Sequence, residues 1–282
     1  MGNKLVATVL VENSPSEGLL AEHGLSVHLA YAGQRILLDF GQSDAFARNA
    51  DALGIDLAQV NLAVLSHAHY DHADGMESFF ARNSHAPLHL SKACGERCWS
   101  TKGGTTDAHY IGIKQGLLAQ FAERLSPTPT NRVTPIAPGV HLVPHTTPRL
   151  EAAGAAAGML LREEDVWRPD DFAHELSLVI ELGEGDRAPL AIFNSCSHAG
   201  LPTIVAEVQE AFTGRPIAAY VGGLHLVHAR DEQLLEVARA IKAAGIRQLY
   251  TGHCTGSRAL ELLSNELPER VVALHSGLCF EL

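Results

Sequence analysis

The chain lacks a lysine- or arginine-rich tract. Its 21 basic residues stand against 32 acidic ones, a formal net charge of −11 over 282 residues. Nucleic-acid affinity comes largely from neutralising phosphates, so this balance argues against a nucleic-acid partner. No stretch approaches the roughly 20 consecutive apolar residues that a membrane span requires, and no membrane partner is expected. Cysteine is sparse and odd in number, Cys94, Cys98, Cys196, Cys254 and Cys279, without the spacing of a disulfide scaffold. Cys94 and Cys98 stand one helical turn apart, but no second pair with zinc-finger spacing accompanies them. A secretory pattern is missing too. Lys4–Val11 is short, has no small-residue cleavage site and runs into Glu12-Asn13, so it reads as a first strand. A cytoplasmic protein with reduced thiols is the expectation.

What the chain does have is a core and an excess of histidine. Hydrophobic residues make up 46% and charged ones 19%, enough for one large domain over residues 1–282. Sixteen histidines exceed what such a core needs. Four potential ligands crowd into Ser66-His67-Ala68-His69-Tyr70-Asp71-His72, directly after the apolar run Val60–Leu65, which reads as a buried strand. As the chain leaves a strand its two-residue period persists for a step, so His67 and His69 can point the same way. Asp71 and His72 follow as the chain turns into a helix. Two imidazoles on one side and a carboxylate plus an imidazole on the other can hold two metal ions, and such nitrogen and oxygen donors suit zinc and iron.

Upstream, Val27–Tyr31 and Arg35–Asp39 read as strands joined by a hairpin at Ala32-Gly33-Gln34. Asp39 has two readings of equal weight: it holds a metal-bound imidazole from behind, or it caps the helix beginning at Ser43. Downstream, Ser100–Arg132 and residues 144–172 read as irregular insertions, with a short helix near Leu117–Leu125 and an Ala/Gly-rich stretch at Ala152–Gly158. The second half repeats the logic of the first. Three strands run into Gly- or Ser-flanked turns that carry His198, His225 and His253, and small neighbours there allow close approach of a ligand. His198 and His253 are the stronger ligand candidates, and His225 is open between ligand, proton donor and substrate contact. His23, in Glu22-His23-Gly24, can reach the site from a loop. The remaining histidines, His174 and His109 among them, read as structural or surface residues. Two similar strand-rich halves with amphipathic helices imply a four-layer αββα sandwich, two mixed sheets with helices outside.

These residues resemble the metallo-β-lactamase superfamily, whose hallmark is the His-x-His-x-Asp-His motif. More narrowly they resemble its 7,8-dihydropterin-6-methyl-4-(β-D-ribofuranosyl)aminobenzene-5′-phosphate synthase branch, through Glu22–Ser26, Ile36–Gly41, Leu65–His72, Cys196–Gly200, Gly222–Leu226 and Gly252–Gly256. The resemblance implies that His67, His69 and His198 bind one divalent ion and Asp71, His72 and His253 the other, with Zn²⁺ foremost and Mn²⁺ or Fe²⁺ as the other choices. Many relatives bridge the ions with an aspartate where this chain has Asn194-Ser195-Cys196, so water alone, a Cys196 thiolate or one weaker site is implied instead. The third-ligand histidine of many relatives has no clear counterpart near Pro169–His174. The implied activity is hydrolytic, with a metal-activated water attacking an ester, lactone or phosphoester of a small-molecule substrate. Asp71 then orients the nucleophile and His225 protonates the leaving group. Synthase-like activity, a sensory protein without turnover and an iron-dependent redox enzyme are the alternatives, and a homodimer is admitted.

Overall fold

The computed structural model describes residues 4–101 and 107–282. Two seven-stranded sheets form its centre. The first runs Cys279–Glu281, Val6–Val11, Ser26–Tyr31, Gln34–Leu38, Leu62–Val64, Leu88–Ser91 and Leu125–Thr128 across its width. The second runs Val271–Ala273, Gln248–Thr251, Ile217–Val221, Leu190–Phe193, Leu176–Glu181, Val140–Pro144 and Thr134–Ala137. Each joins an antiparallel part to a parallel part. In a parallel run the carboxyl ends fall on one edge, and loops leaving that edge are where sites are built.

The strands are apolar on both faces because both faces are covered. Leu29, Ile36, Leu38 and Val64 of the first sheet meet Leu178, Ile180, Phe193 and Val221 of the second in one buried cluster. On the outer face of the first sheet lie Phe40, Phe46, Met76 and Phe79, packed with the helices Ala45–Ala52 and Met76–Arg82. The outer face of the second is covered by the helices Leu201–Ala211, Asp231–Ala243 and Ser257–Glu266. Asp231–Ala243 buries Leu234, Val237, Ala238 and Ile241, the stripe its spacing predicts. The result is the four-layer αββα sandwich. Among the described residues no helix is long and apolar enough to cross a membrane.

Two expectations need correction. The insertions are not merely irregular: Cys98–Ser100 and His109–Tyr110 pair with Met159–Glu163 and Val166–Pro169 into a third, four-stranded sheet. Residues 102–106 of the first insertion lie outside the described residues. Near Leu117–Leu125 there is only one α-turn, Leu117–Gln120, and a 3₁₀ turn before the chain becomes a strand at Leu125. Strands as short as His109–Tyr110 leave no periodic signal, and the pairing that joins the two insertions, Cys98–Ser100 with Met159–Leu161, is between distant parts of the chain.

Candidate metal centre

The parallel edges of the two sheets converge on one cluster of buried side chains. The strand Gln34–Leu38 delivers Asp39, and Leu62–Val64 delivers the segment from Ser66 to His72. From the second sheet, Leu190–Phe193 delivers Cys196 to His198, Ile217–Val221 delivers His225, and Gln248–Thr251 delivers His253 and Cys254. Asp39, Ser197, His225 and His253 all hold left-handed backbone angles, with φ between 50° and 57°. Such strain concentrates where surrounding structure fixes a functional geometry. The turns touch closely enough that a Cβ on Gly223 would meet the Cys254 sulfur at 2.5 Å and the Ser195 carbonyl oxygen at 2.8 Å.

One group of ligand candidates is Asp71, His72 and His253. His72 Nε2 lies 3.2 Å from His253 Nε2, and Asp71 Oδ2 is 3.4 Å and 3.3 Å from those two nitrogens. The rear nitrogens are committed. His72 Nδ1 donates to Asp39 Oδ2 at 2.8 Å, and His253 Nδ1 donates to Asn13 Oδ1 at 2.9 Å. In neutral imidazoles the proton therefore sits at the rear, and two nitrogen lone pairs and a carboxylate oxygen face one another. Nothing in such a set balances the repulsion except a cation or an extra proton. Burial alone would lower the His72 pKa, but the Asp71 carboxylate and the hydrogen bond to Asp39 push it up to about 10. This donor set fits a divalent ion.

The second group is His67, His69 and His198, whose ring centroids lie 4.7 to 4.9 Å apart. His67 Nε2, His69 Nε2 and both nitrogens of His198 are buried without a hydrogen-bond partner among the described residues. Burial lowers the His69 pKa to about 3 and holds His67 and His198 well below the ordinary range. Neutral, unpartnered imidazoles are the form that binds a metal. By ligand atoms the structure draws this group slightly differently from the expected trio. His67 and His198 gather with Cys196, whereas His69 gathers with Cys98, Asp170 and His174. In that last set the Ala68 N–H donates into His174 Nδ1 at 3.2 Å. The His174 proton therefore belongs on Nε2, 3.1 Å from Asp170 Oδ2. His174 is thus buried and holds the backbone between His67 and His69 through the Ala68 N–H, and it is neither a surface residue nor a ligand through that nitrogen.

Asp39 settles its two readings. It caps no helix; its side chain accepts from His72 Nδ1, from the Ser66 N–H at 2.7 Å and from the Ser66 hydroxyl at 2.6 Å. Ser66 Oγ in turn lies 2.8 Å from His67 Nδ1, so one aspartate orients an imidazole in each group. Three residues escaped the reading of the sequence. Glu12 accepts the His253 backbone N–H, Asn13 fixes the His253 ring, and Glu175 accepts the N–H groups of His198 and Ala199, each at 2.8 Å. Their only signal is position, at the ends or starts of strands that reach the shared edge.

His23 does reach the site, with Nε2 3.3 Å from Asp71 Oδ2. The His225 ring lies 4.5 Å from that of His198. A cavity of about 430 Å³ opens over the cluster, lined also by Tyr70, Ser100, His109, Ile111 and Met159. His109 is therefore a cavity residue, and the third sheet forms one wall.

A profile of the Metallo-beta-lactamase superfamily matches residues 22–203, most of the chain and all of the first motif. The chain belongs to this superfamily. Within it, the chain is similar to the 7,8-dihydropterin-6-methyl-4-(β-D-ribofuranosyl)-aminobenzene-5′-phosphate synthase of Methanocaldococcus jannaschii, at 25% identity over 94% of this chain and 90% of the relative. Among solved structures it is similar to Tm1679, described as a metal-dependent hydrolase of the β-lactamase superfamily, with 26% identity, TM-score 0.83 and 99% of each chain covered. The metallo-β-lactamase fold protein YhfI of Bacillus subtilis shares the fold at 13% identity, TM-score 0.59 and 99% coverage of both chains. Members of this superfamily are mostly enzymes that use divalent metals; of the two ligand groups, His67, His69, Asp71 and His72 lie in its motif, His198 lies within the matched residues and His253 beyond them.

Proposed function

We propose that this superfamily member is a metal-dependent hydrolase with a dinuclear centre, acting on an ester, lactone or phosphoester of a small molecule. The reading rests above all on Asp71, His72 and His253, three lone-pair donors facing one another, of which Asp71 and His253 line an accessible cavity and His72 lies buried beside them. This group and His67, His69 and His198 would hold the divalent ions, which when bound would supply Lewis acidity and lower the pKa of water from about 15.7 to about 7. Asp71 would both hold an ion and orient the attacking water, since its carboxylate faces the cavity beside His23. His225 lines the cavity next to His198 and delivers a proton to the leaving group. The ligand side chains themselves are buried, which strengthens these electrostatic effects. The synthase name of the archaeal relative directs the first substrates to phosphate-bearing compounds.

The test is elemental analysis of metal per chain on protein purified without added metal, followed by turnover on a panel of lactones, carboxylic esters and phosphodiesters. Two ions per chain and hydrolysis that collapses in Asp71→Ala are expected. Protein that stays empty when zinc, manganese or iron is offered would overturn the reading. So would full metal loading and full turnover in Asp71→Ala.

A further inference from the structure

The two ligand groups have one residue in common at their facing sides, and it is a cysteine. Ligand atoms of His67, Cys196 and His198 lie within 4.8 Å of one another, as do those of His72, Cys196 and His253. The sulfur is 3.2 Å from His72 Nε2, the nitrogen that faces the centre rather than Asp39. We propose that the Cys196 thiolate bridges the two ions. The proposal rests on the dinuclear reading above and names the ligand that joins its halves.

Two rivals for the bridging position fail on geometry. Asp39 also gathers with an imidazole from each group, His67 and His72. It does so from behind, since its Oδ2 is taken by His72 Nδ1 and the Ser66 hydroxyl. Cys254 is nearby, with its sulfur 3.5 Å from that of Cys196, but it joins no metal-ligand group among the described residues. It accepts the His225 backbone N–H at 3.2 Å and donates toward Cys196. Cys254 is therefore a hydrogen-bonding neighbour of the bridge, able to temper its donor strength.

The turn that carries Cys196 is fixed on both sides. The Ser197 N–H donates to Asn194 Oδ1 at 2.6 Å, the Ser197 hydroxyl reaches the Gly223 carbonyl oxygen at 2.6 Å, and the Gly223 N–H donates to the Ser195 carbonyl at 2.8 Å. Cys196 itself is 3% exposed, so its sulfur has no role at the surface. When the ions bind, the thiol loses its proton to solvent and the sulfur forms one bond to each ion; no oxidant or reductant is involved. Sulfur in this position selects zinc or ferrous iron over manganese, which prefers oxygen donors.

The experiment titrates cobalt(II) alone into the metal-stripped full chain. It reads near-ultraviolet sulfur-to-cobalt charge-transfer absorption together with bound cobalt per chain. The expected result is two cobalt ions and a charge-transfer band that persists in Cys254→Ser and in Cys98→Ser. Cys196→Ser should lose the band and at least one ion, and Cys196→Asp should recover two ions without the band. Two bound cobalt ions without the band in the unaltered chain would overturn the bridge while leaving the dinuclear reading standing. That measurement does not depend on any variant folding. Survival of the band in Cys196→Ser, or its loss in Cys254→Ser, would overturn it as well. A chain that binds no cobalt would sink the dinuclear reading itself, and the bridge with it.

Discussion

The two halves of the centre are built on different principles. Asp71, His72 and His253 form an anionic half, and the two imidazoles in it are held by side chains, Asp39 behind His72 and Asn13 behind His253. His67, His69 and His198 form a neutral half, crowded ring against ring, with His198 held chiefly through its backbone by Glu175. Through Asp71 the anionic half adds Coulombic attraction for a cation to its lone pairs, whereas the three imidazoles of the neutral half offer lone pairs, with Cys196 shared between the halves. Unlike halves teach that two ions, on the dinuclear reading proposed above, need not bind equally, and that each half can be weakened without the other.

The largest effect comes from the residue that ignores this division. Asp39 is fully buried and serves His72 directly and His67 through Ser66. Asp39→Ala leaves His72 Nδ1 and the Ser66 N–H without partners and the Ser66 hydroxyl without its acceptor. Breaking a buried polar network of this kind costs about 3–5 kcal/mol, and both ions should be lost together. Thermal denaturation and elemental analysis of the variant check this. Loss of a single ion would show that the Ser66 relay to His67 carries little.

Substitutions confined to one half should act on that half. Asn13→Ala frees the His253 ring and should weaken the anionic site about 10–100-fold, the usual range for a partner behind a metal-bound imidazole. Glu175→Gln disturbs the turn carrying His198 and should weaken the neutral site, by about 10-fold. Stepwise zinc titration by calorimetry separates the two. If Asn13→Ala and Glu175→Gln weakened the same binding step, the division into halves would be wrong.

How much of this the sequence revealed follows from the range of each interaction. The motif from His67 to His72 was legible because its ligands are local and follow a buried strand. His198, His225 and His253 were legible because Gly- and Ser-flanked strand ends repeat. Asp39 was half legible: a carboxylate at a strand end needs a partner, but a local helix start offered one as readily as a distant imidazole. Glu12 bonds His253 across 241 positions, and no local pattern marks such a pairing. His174 looked structural, which it is, yet its burial near His69 depends on Cys98, in one strand of the third sheet, and Asp170, just past another. That sheet was itself invisible, because its short strands pair across the two insertions.

The smallest predicted effect distinguishes the halves by the sign of their pH response in the metal-free protein. His69 is lowered to about 3, and His67 and His198 lie well below the ordinary value. The unfolded chain takes up protons on these rings near pH 6.5, while the folded chain does not. The unfolded state then binds more protons, and stability falls as pH drops from about 7 to about 5. His72 is the reverse case. Raised to about 10, it keeps in the fold a proton that the unfolded chain has released. Its contribution is complete below about pH 6.5 and is lost as pH rises through about 10. Each arm should amount to a change on the order of 1 kcal/mol, since buried sites admit water as they charge. Denaturation midpoints at about pH 5, 7 and 9 should show a maximum near neutrality for the metal-free chain. Asp71→Asn should flatten the alkaline arm alone, because that carboxylate raises His72 and its loss leaves the neutral half without a new partner. An acid arm that flattened equally would mean that the two halves titrate as one.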